Sequence, residues 1–246
     1  MKGRVDQLLV ARELAPSRAR AQALVLAGKV YAAETRIDKA GTMLAEDAMV
    51  TVRGEDHPYV SRGGVKLAGA LDAFAVDPTG KRCLDLGAST GGFTDCLLRR
   101  GAMFIAAVDV GYGQLAHSLR NDHRVLVLER TNARTLEPEQ IGGESDLVVV
   151  DASFIGLGKL TNAIARCTRS GGELVALVKP QFEVGREEVS KTRGVVRDPA
   201  LRASAIAGAA RDVERAGFEI LGAVDCVIEG PKGNLEAFVH ARRSQR

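Results

Sequence analysis

Four charged side chains fall where the sequence predicts that apolar strands end or helices begin. Asp151 follows the run Leu147 to Val150 and Lys179 follows Leu174 to Val178, so both belong at carboxyl ends of strands, where open α/β sheets bind ligands. Lys66 starts the helix before the first of these strands, and Glu236 opens the last strand after the turn 230–234. Singly, each reads as a solvated lysine head or a surface carboxylate. Together they suit a reaction in which a poor oxygen nucleophile must lose a proton. A lysine takes that proton if burial and a nearby cation bring its pKa down from about 10.4. Lys179 is the candidate base, and Lys66 is the cation that depresses it and contacts the oxygen. Asp151 and Glu236 orient the two ammonium groups, and their charge opposes the depression. Proton removal by Lys179 and mere steering of the hydroxyl both fit this pattern.

A second cluster precedes them. The strand Cys83 to Leu86 runs into Gly87-Ala88-Ser89-Thr90-Gly91-Gly92-Phe93-Thr94 and then a helix. Glycines there let a ligand approach the backbone, and the helix N-terminus offers it free N–H groups. Asp109 lies 24 residues beyond Asp85, near where an acid grips a ribose diol, so a nucleoside-containing cofactor is expected. The spacing G-x-x-x-G-G, with Asp85 ahead of it, differs from the G-x-G-x-x-G of nicotinamide and flavin enzymes. It resembles the first motif of class I methyltransferases over Asp85 to Phe93. The resemblance implies S-adenosylmethionine, bound by Asp85, Gly87, Ala88, Ser89, Gly91, Gly92, Phe93 and Thr94. It further implies Asp109 on the ribose, Asn132 near the adenine, Phe154 along the methionine side and Asp151 at the border.

Enzymes that methylate an exocyclic amine carry Asn or Asp before Pro-Pro and an aromatic, where this chain has Asp151-Ala152-Ser153-Phe154. A base-carbon methyltransferase needs an activated cysteine, and Cys167 falls inside a predicted helix. Oxygen is the favoured acceptor.

The elements that must position these groups read as strands alternating with helices from Ser61 onward. Strands are expected at Cys83–Leu86, Phe104–Val108, Val125–Leu128, Leu147–Val150, Leu174–Val178, Ile220–Val227 and Leu235–His240. Most are continuously apolar, as in a mainly parallel sheet buried on both faces. Helices are expected at Leu67–Phe74 and at Pro199–Ala216, the latter with Asp198 as N-cap. The fold class is therefore α/β, a doubly wound, Rossmann-like domain with a seven-stranded sheet, over residues 61–246. Residues 1–56 form a small α+β module, with a helix over Val5 to Leu9, a second opened by Ser17 and stopped at Gly28, and short strands at Val30–Ala32 and Met49–Val52. Residues 57–60 are the linker.

Composition sets the class. The 246 residues are 46% hydrophobic and 26% charged, in the globular range, which excludes a disordered tail, a collagen-like repeat and a coiled-coil rod. No uncharged stretch is long enough to cross a bilayer, and the start of the chain lacks a signal-peptide pattern, so a cytoplasmic protein is expected. The four cysteines and four histidines show no ligand spacing, so neither disulfide nor metal is expected. Net charge is only +3, but residues 1–30 hold six Lys or Arg against two Asp or Glu, a basic front that suits an anionic partner.

Five motifs name the family. Ser61-Arg62-Gly63-Gly64-Val65-Lys66-Leu67, the glycine loop, Val150-Asp151-Ala152-Ser153-Phe154-Ile155, Val178-Lys179-Pro180-Gln181-Phe182-Glu183 and Gly230-Pro231-Lys232-Gly233-Asn234-Leu235-Glu236 resemble the TlyA or hemolysin A group of FtsJ-like ribosomal RNA methyltransferases, over nearly the whole chain. The resemblance implies Lys66, Asp151, Lys179 and Glu236 as the catalytic set, and methyl transfer to a cytidine 2′-hydroxyl of large-subunit ribosomal RNA, with small-subunit RNA a second candidate. The short lead before the first helix and the early stop after the last strand lean toward the large subunit alone. The front module resembles an S4 RNA-binding domain through Ser17-Arg18-Ala19-Arg20-Ala21, Leu24-Val25 and Gly28-Lys29-Val30, with Tyr31-Ala32-Ala33-Glu34-Thr35 in place of the usual Val-Asn-Gly turn.

Arg4, Arg18, Arg20 and Lys29 of this module are the expected phosphate contacts, joined near the cleft by Arg62 and Arg134. Arg186 adds another in a charged loop, 185–194, expected to close over RNA. With no Trp and three Tyr, recognition rests on RNA shape and backbone. A monomer acting on ribosomal particles is expected. Two other readings compete: a non-catalytic S4-type RNA-binding or assembly factor that keeps the methyltransferase fold as scaffold, and a membrane-active hemolysin.

Overall fold

Residues 2–53, 57–185, 194–230 and 232–245 are described by the structure, a computed structural model. The chain divides into two compact units, Met1–Pro58 and Tyr59–Arg246. Tyr59 and Val60, expected in the linker, pack instead against the core of the second unit, and the Val60 N–H donates to the Asp95 carboxylate at 2.8 Å.

In the first unit, α1 (Val5–Ala11) and α2 (Arg18–Leu26) share an apolar core of Val5, Leu9, Ala21, Leu24 and Val25. Ser17 caps α2 by accepting from the Arg20 N–H, and Gly28 ends the turn beyond it at φ +67°. β2 (Val30–Ala32) lies between β3 (Thr35–Arg36) and β5 (Val50–Val52), while β1 (Lys2–Arg4) pairs with β4 (Met43–Ala45), all antiparallel. Ala33, in the turn between β2 and β3, takes φ +50°.

The second unit is built on a seven-stranded sheet. Its strands are β6 (Arg82–Leu86), β7 (Phe104–Val108), β8 (Val125–Leu128), β9 (Ser145–Val150), β10 (Thr168–Val178), β11 (Phe218–Asp225) and β12 (Ala237–Arg243). The order across the sheet is β11-β12-β10-β9-β6-β7-β8, and only β12 runs against its neighbours. Side chains alternate between two cores. Cys83, Ile105, Leu147, Val149 and Val175 face one side with α3 (Gly63–Phe74) and α4 (Gly92–Arg99), whereas Leu84, Leu86, Val148, Val150 and Leu174 face the other with the helix Pro199–Arg215.

The chain steps outward from β6 to β7 and β8, then returns to place β9 on the other side of β6. That reversal opens a crevice at the carboxyl ends of β6 and β9, and Gly87 and Asp151 are the residues that leave those strands.

The boundaries differ from expectation in physically readable ways. β10 begins at Thr168 because a register shift between Thr168 and Glu173 accommodates Ser170-Gly171-Gly172 within the strand. α3 begins at Gly63, so Lys66 sits within its first turns rather than at its start. The last two strands are Phe218–Asp225 and Ala237–Arg243, which leaves Glu236 one residue ahead of β12.

Candidate active site

The glycine turn is shaped by close approach. Gly87 adopts φ +87°, and a Cβ added there would lie 2.6 Å from the Asp151 carbonyl oxygen. Gly91, at φ +95°, is the residue before α4, and a side chain there would collide with Leu119. Asp109, just past β7, accepts from the Ser89 N–H at 2.8 Å and from the Gly111 N–H at 2.6 Å. Its carboxylate is thus held at the mouth of the crevice.

Two lobes, of about 220 and about 320 Å³, share Gly87, Ser89 and Asp151 and so form one crevice of ligand size. The larger is bordered by Asp109, Gln114, Asn132 and Phe154, with apolar walls from Leu86, Val108 and Ile155. The smaller is bordered by Ala88, Gly92 and Phe93 from the glycine turn, by Ser61 and Arg62, and by all four of Lys66, Asp151, Lys179 and Glu236.

Around the smaller lobe each lysine has its own carboxylate. Lys66 Nζ donates to Glu236 Oε2 at 2.5 Å, and both side chains are buried. Lys179 Nζ lies 2.5 Å from Asp151 Oδ1 and donates to Ser153 Oγ at 2.9 Å. Lys66 is thus paired with Glu236, and Lys179 with Asp151. The two pairs come from α3 with the start of β12, and from the ends of β9 and β10.

Four residues sit differently from the expected cofactor contacts. Gly91 borders neither lobe. Neither do Asp85 and Thr94; both are fully buried, and Thr94 Oγ1 donates to Asp85 Oδ2 at 2.6 Å. They brace β6 against α4 beneath the glycine turn. Burial pushes the Asp85 carboxyl up to about 7, opposed by the Thr94 bond and reinforced by the charge of Asp151. Phe154 borders the lobe of Asp109 and Asn132 rather than that of the four charged residues. At φ +67° its exposed ring turns toward Phe182, with centroids 5.6 Å apart.

The expected RNA contacts divide as well. Arg4 and Arg18 converge on Asp6, a carboxylate with no exposed surface that also accepts from Gln22, so both guanidinium groups are spent partly inside the fold. The bond from Arg4 is the main reason the Asp6 carboxyl lies well below the usual range. Arg20 donates to the His57 carbonyl, and Lys29 closes its helix through a backbone bond to Leu24. Arg62 borders the smaller lobe and donates to the Glu229 carbonyl at 3.2 Å, while Arg134 is exposed beside Asn132. Arg186 lies outside the described residues.

Two motif residues with no role read from the sequence make contacts beside the site. Ser153, the hydroxyl partner of Lys179, stands two residues past Asp151, and Glu183, four past Lys179, accepts from the Leu157 N–H at 2.8 Å and ties the short helix Pro180–Glu183 to the segment after β9. Their nearness to the charged residues in sequence was the available signal. Among the described residues no cluster of His, Cys, Asp and Glu could hold a metal ion, and no helix is long and apolar enough to cross a membrane.

The FtsJ-like methyltransferase profile matches residues 59–243, and the S4 domain profile matches residues 3–50. The chain belongs to the FtsJ-like methyltransferase family. Within it, the chain is 50% identical to the 16S/23S rRNA (cytidine-2′-O)-methyltransferase TlyA of Mycobacterium tuberculosis, over 98% of this chain and 90% of that one. A solved protein of Streptococcus thermophilus that carries the hemolysin name matches with TM-score 0.77 and 38% identity, over 99% of this chain and 89% of that one. An S-adenosylmethionine dependent methyltransferase of Mesorhizobium loti, 17% identical, shares the fold at TM-score 0.51 over 71% of this chain and 96% of that one. The FtsJ-like unit thus carries the α/β methyltransferase fold expected from the sequence, preceded by an S4 domain.

Proposed function

We propose that this FtsJ-like enzyme transfers a methyl group from S-adenosylmethionine to the ribose 2′-hydroxyl of a cytidine in ribosomal RNA, with Lys66, Asp151, Lys179 and Glu236 as its catalytic set. The observation that carries the reading is the meeting of both lysine–carboxylate pairs on the lobe next to the glycine turn. The name of the Mycobacterium tuberculosis relative supports cytidine and ribosomal RNA.

The crevice fits the cofactor. Its larger lobe offers the fixed Asp109 carboxylate to a ribose diol and apolar walls to an adenine near Asn132, and Gly87 leaves room that a Cβ would fill. When bound, S-adenosylmethionine supplies a methyl group on a sulfonium, which becomes a neutral thioether as the methyl leaves in line with the attacking oxygen. The protein must hold that oxygen and dispose of its proton. Lys179, placed by Asp151 and Ser153, orients the hydroxyl and, as a neutral amine, takes its proton while the C–O bond forms and the methyl–sulfur bond breaks, leaving an ammonium paired with Asp151. Lys66, held by Glu236, places a second positive group near the developing alkoxide. A nucleotide stacked in a helix does not present its 2′-hydroxyl for such attack, so the target is rotated out of its stack.

The S4 domain supplies the grip on RNA. Its exposed basic groups, with Arg62 and Arg134 near the crevice, neutralise phosphates and release counterions, so binding weakens as salt rises.

The deciding experiment is methyl transfer from labelled S-adenosylmethionine to separate 30S and 50S particles, with the modified nucleotide mapped. Label on a cytidine 2′-oxygen, lost with Lys179→Ala, is the expected result. Label on a base atom, or particle binding with no transfer, overturns the proposal.

A further inference from the structure

Glu236 is the member of the catalytic set whose placement is least explained by a strand end, because it precedes β12 and follows a turn. That turn is closed by the Gly230 N–H donating to the Asn234 carbonyl at 2.9 Å and the Gly233 N–H donating to the Gly230 carbonyl at 2.8 Å. Gly230 packs so tightly on the carboxylate that a Cβ there would lie 2.6 Å from Glu236 Oε1. Any shift of the turn therefore moves the carboxylate that holds Lys66.

The side chain of Asn234 fastens the turn to the segment that leads into the helix Pro199–Arg215. Asn234 is 2% exposed, and both ends of its amide are used across the connection to the neighbouring segment. Its Oδ1 accepts from the Val196 N–H at 2.9 Å, and its Nδ2 donates to the Gly194 carbonyl at 2.9 Å. Gly194 to Val196 lead into the helix Pro199–Arg215, whose start is capped by Asp198. From that helix Arg202 donates to the Leu235 carbonyl at 2.9 Å. Asn234 itself borders neither lobe of the crevice, so it has no route to substrate or cofactor except through what it holds.

We infer that Asn234 is a positioning residue for methyl transfer: its amide locks the 194–196 segment to the turn that seats Glu236 against Lys66. Only a side-chain amide offers an adjacent donor and acceptor in this geometry. Aspartate keeps the bond from Val196 but turns the second bond into a repulsion between oxygens, and alanine leaves both backbone groups without a partner. The inference rests on the reading of Glu236 as catalytic, and the test separates the two.

The test compares Asn234→Ala, Asn234→Asp, Glu236→Gln and the double variant Asn234→Ala/Glu236→Gln in the full-length protein. Single-turnover methyl transfer to ribosomal particles is measured beside the dissociation constant of S-adenosylmethionine and the folded fraction at the assay temperature. Displacements near 1 Å cost up to about a hundredfold in rate, so both Asn234 variants should lose about tenfold or more while cofactor affinity stays within about twofold. The double variant should be no slower than Glu236→Gln, since a residue acting through Glu236 has nothing left to position. Losses that multiply in the double variant, or that match the unfolded fraction, overturn the inference. An unimpaired Glu236→Gln would instead remove the catalytic reading of Glu236 and leave the Asn234 bonds as a feature of the fold.

Discussion

Lys66 and Glu236 stand 170 residues apart in the chain, yet their charged ends meet at 2.5 Å with both side chains buried. Burial makes the pair unequal to the sum of its parts, since either ion left alone would face the full cost of desolvation. Lys66→Met or Glu236→Gln should each destabilise the domain by about 3 kcal/mol, as breaking a buried pair does. Replacing both with apolar residues of similar size should recover most of that stability without restoring methyl transfer. Urea melts paired with transfer assays check this; single variants as stable as the parent would contradict it.

That relationship marks the limit of what the sequence disclosed. Short apolar strands, the Gly87 to Thr94 turn and the placement of Asp151 and Lys179 after strands were legible because they are local: a strand end fixes where the next residue points. Which carboxylate meets which lysine was not, because the pairing depends on strand order and on the turn before β12. Arg4 and Arg18 illustrate the same gap. Basic side chains near one small helix read as phosphate ligands, while a single acid six residues into the chain gives no hint that it will be buried between them. α3 reaches back to Gly63, where glycine, a poor helix former, carries no local signal for helix.

Asp85 makes stability depend on pH in a direction opposite to an ordinary paired acid. Its carboxyl is pushed up to about 7 by burial, from 3.8. Between those values the folded state binds more protons than the unfolded one, so its contribution is fully present below pH 4, falls as pH rises toward 7, and is constant above. The stability difference between the parent and Asp85→Asn, measured by thermal melts from pH 5 to 8, should therefore shift against the parent with rising pH and level off beyond 7. A difference independent of pH would mean that the carboxyl is not held protonated.

Asp6 has the contrary sign. Bonds from Arg4, Gln22 and Arg18 hold its carboxyl below the usual range, so its contribution is present above pH 4 and is lost on acidification below that. Asp6→Asn should lower the melting temperature of the S4 unit by several degrees at neutral pH, with the two proteins converging in acid. Near-neutral Asp6→Asn melting identical to the parent would show that the arginines do not depend on the acid.

Cys167 offers a check on the choice of acceptor atom. It lies buried in the helix Thr161–Cys167, and burial pushes its thiol up to about 11, far from the thiolate that attack on a base carbon would need. Cys167→Ala should keep at least about half of the parental transfer rate, corrected for folded protein, because filling or emptying one small core position costs stability rather than chemistry. Abolished transfer in a folded variant would revive a covalent route through sulfur.

Gly87 ties backbone geometry to the shape of both lobes of the crevice. It takes φ +87°, and the space a methyl would need is already filled by the Asp151 carbonyl at 2.6 Å. Gly87→Ala must therefore either push β9 away from β6 or twist the turn out of its left-handed conformation, and both movements displace Asp151, which closes both lobes. A change of about 1.4 kcal/mol at this contact is tenfold in a dissociation constant. Calorimetry should accordingly show S-adenosylmethionine binding to folded Gly87→Ala weakened about tenfold or more, with S4-driven attachment to ribosomal particles unchanged. Equal cofactor affinity in the variant would place the binding site elsewhere than this turn.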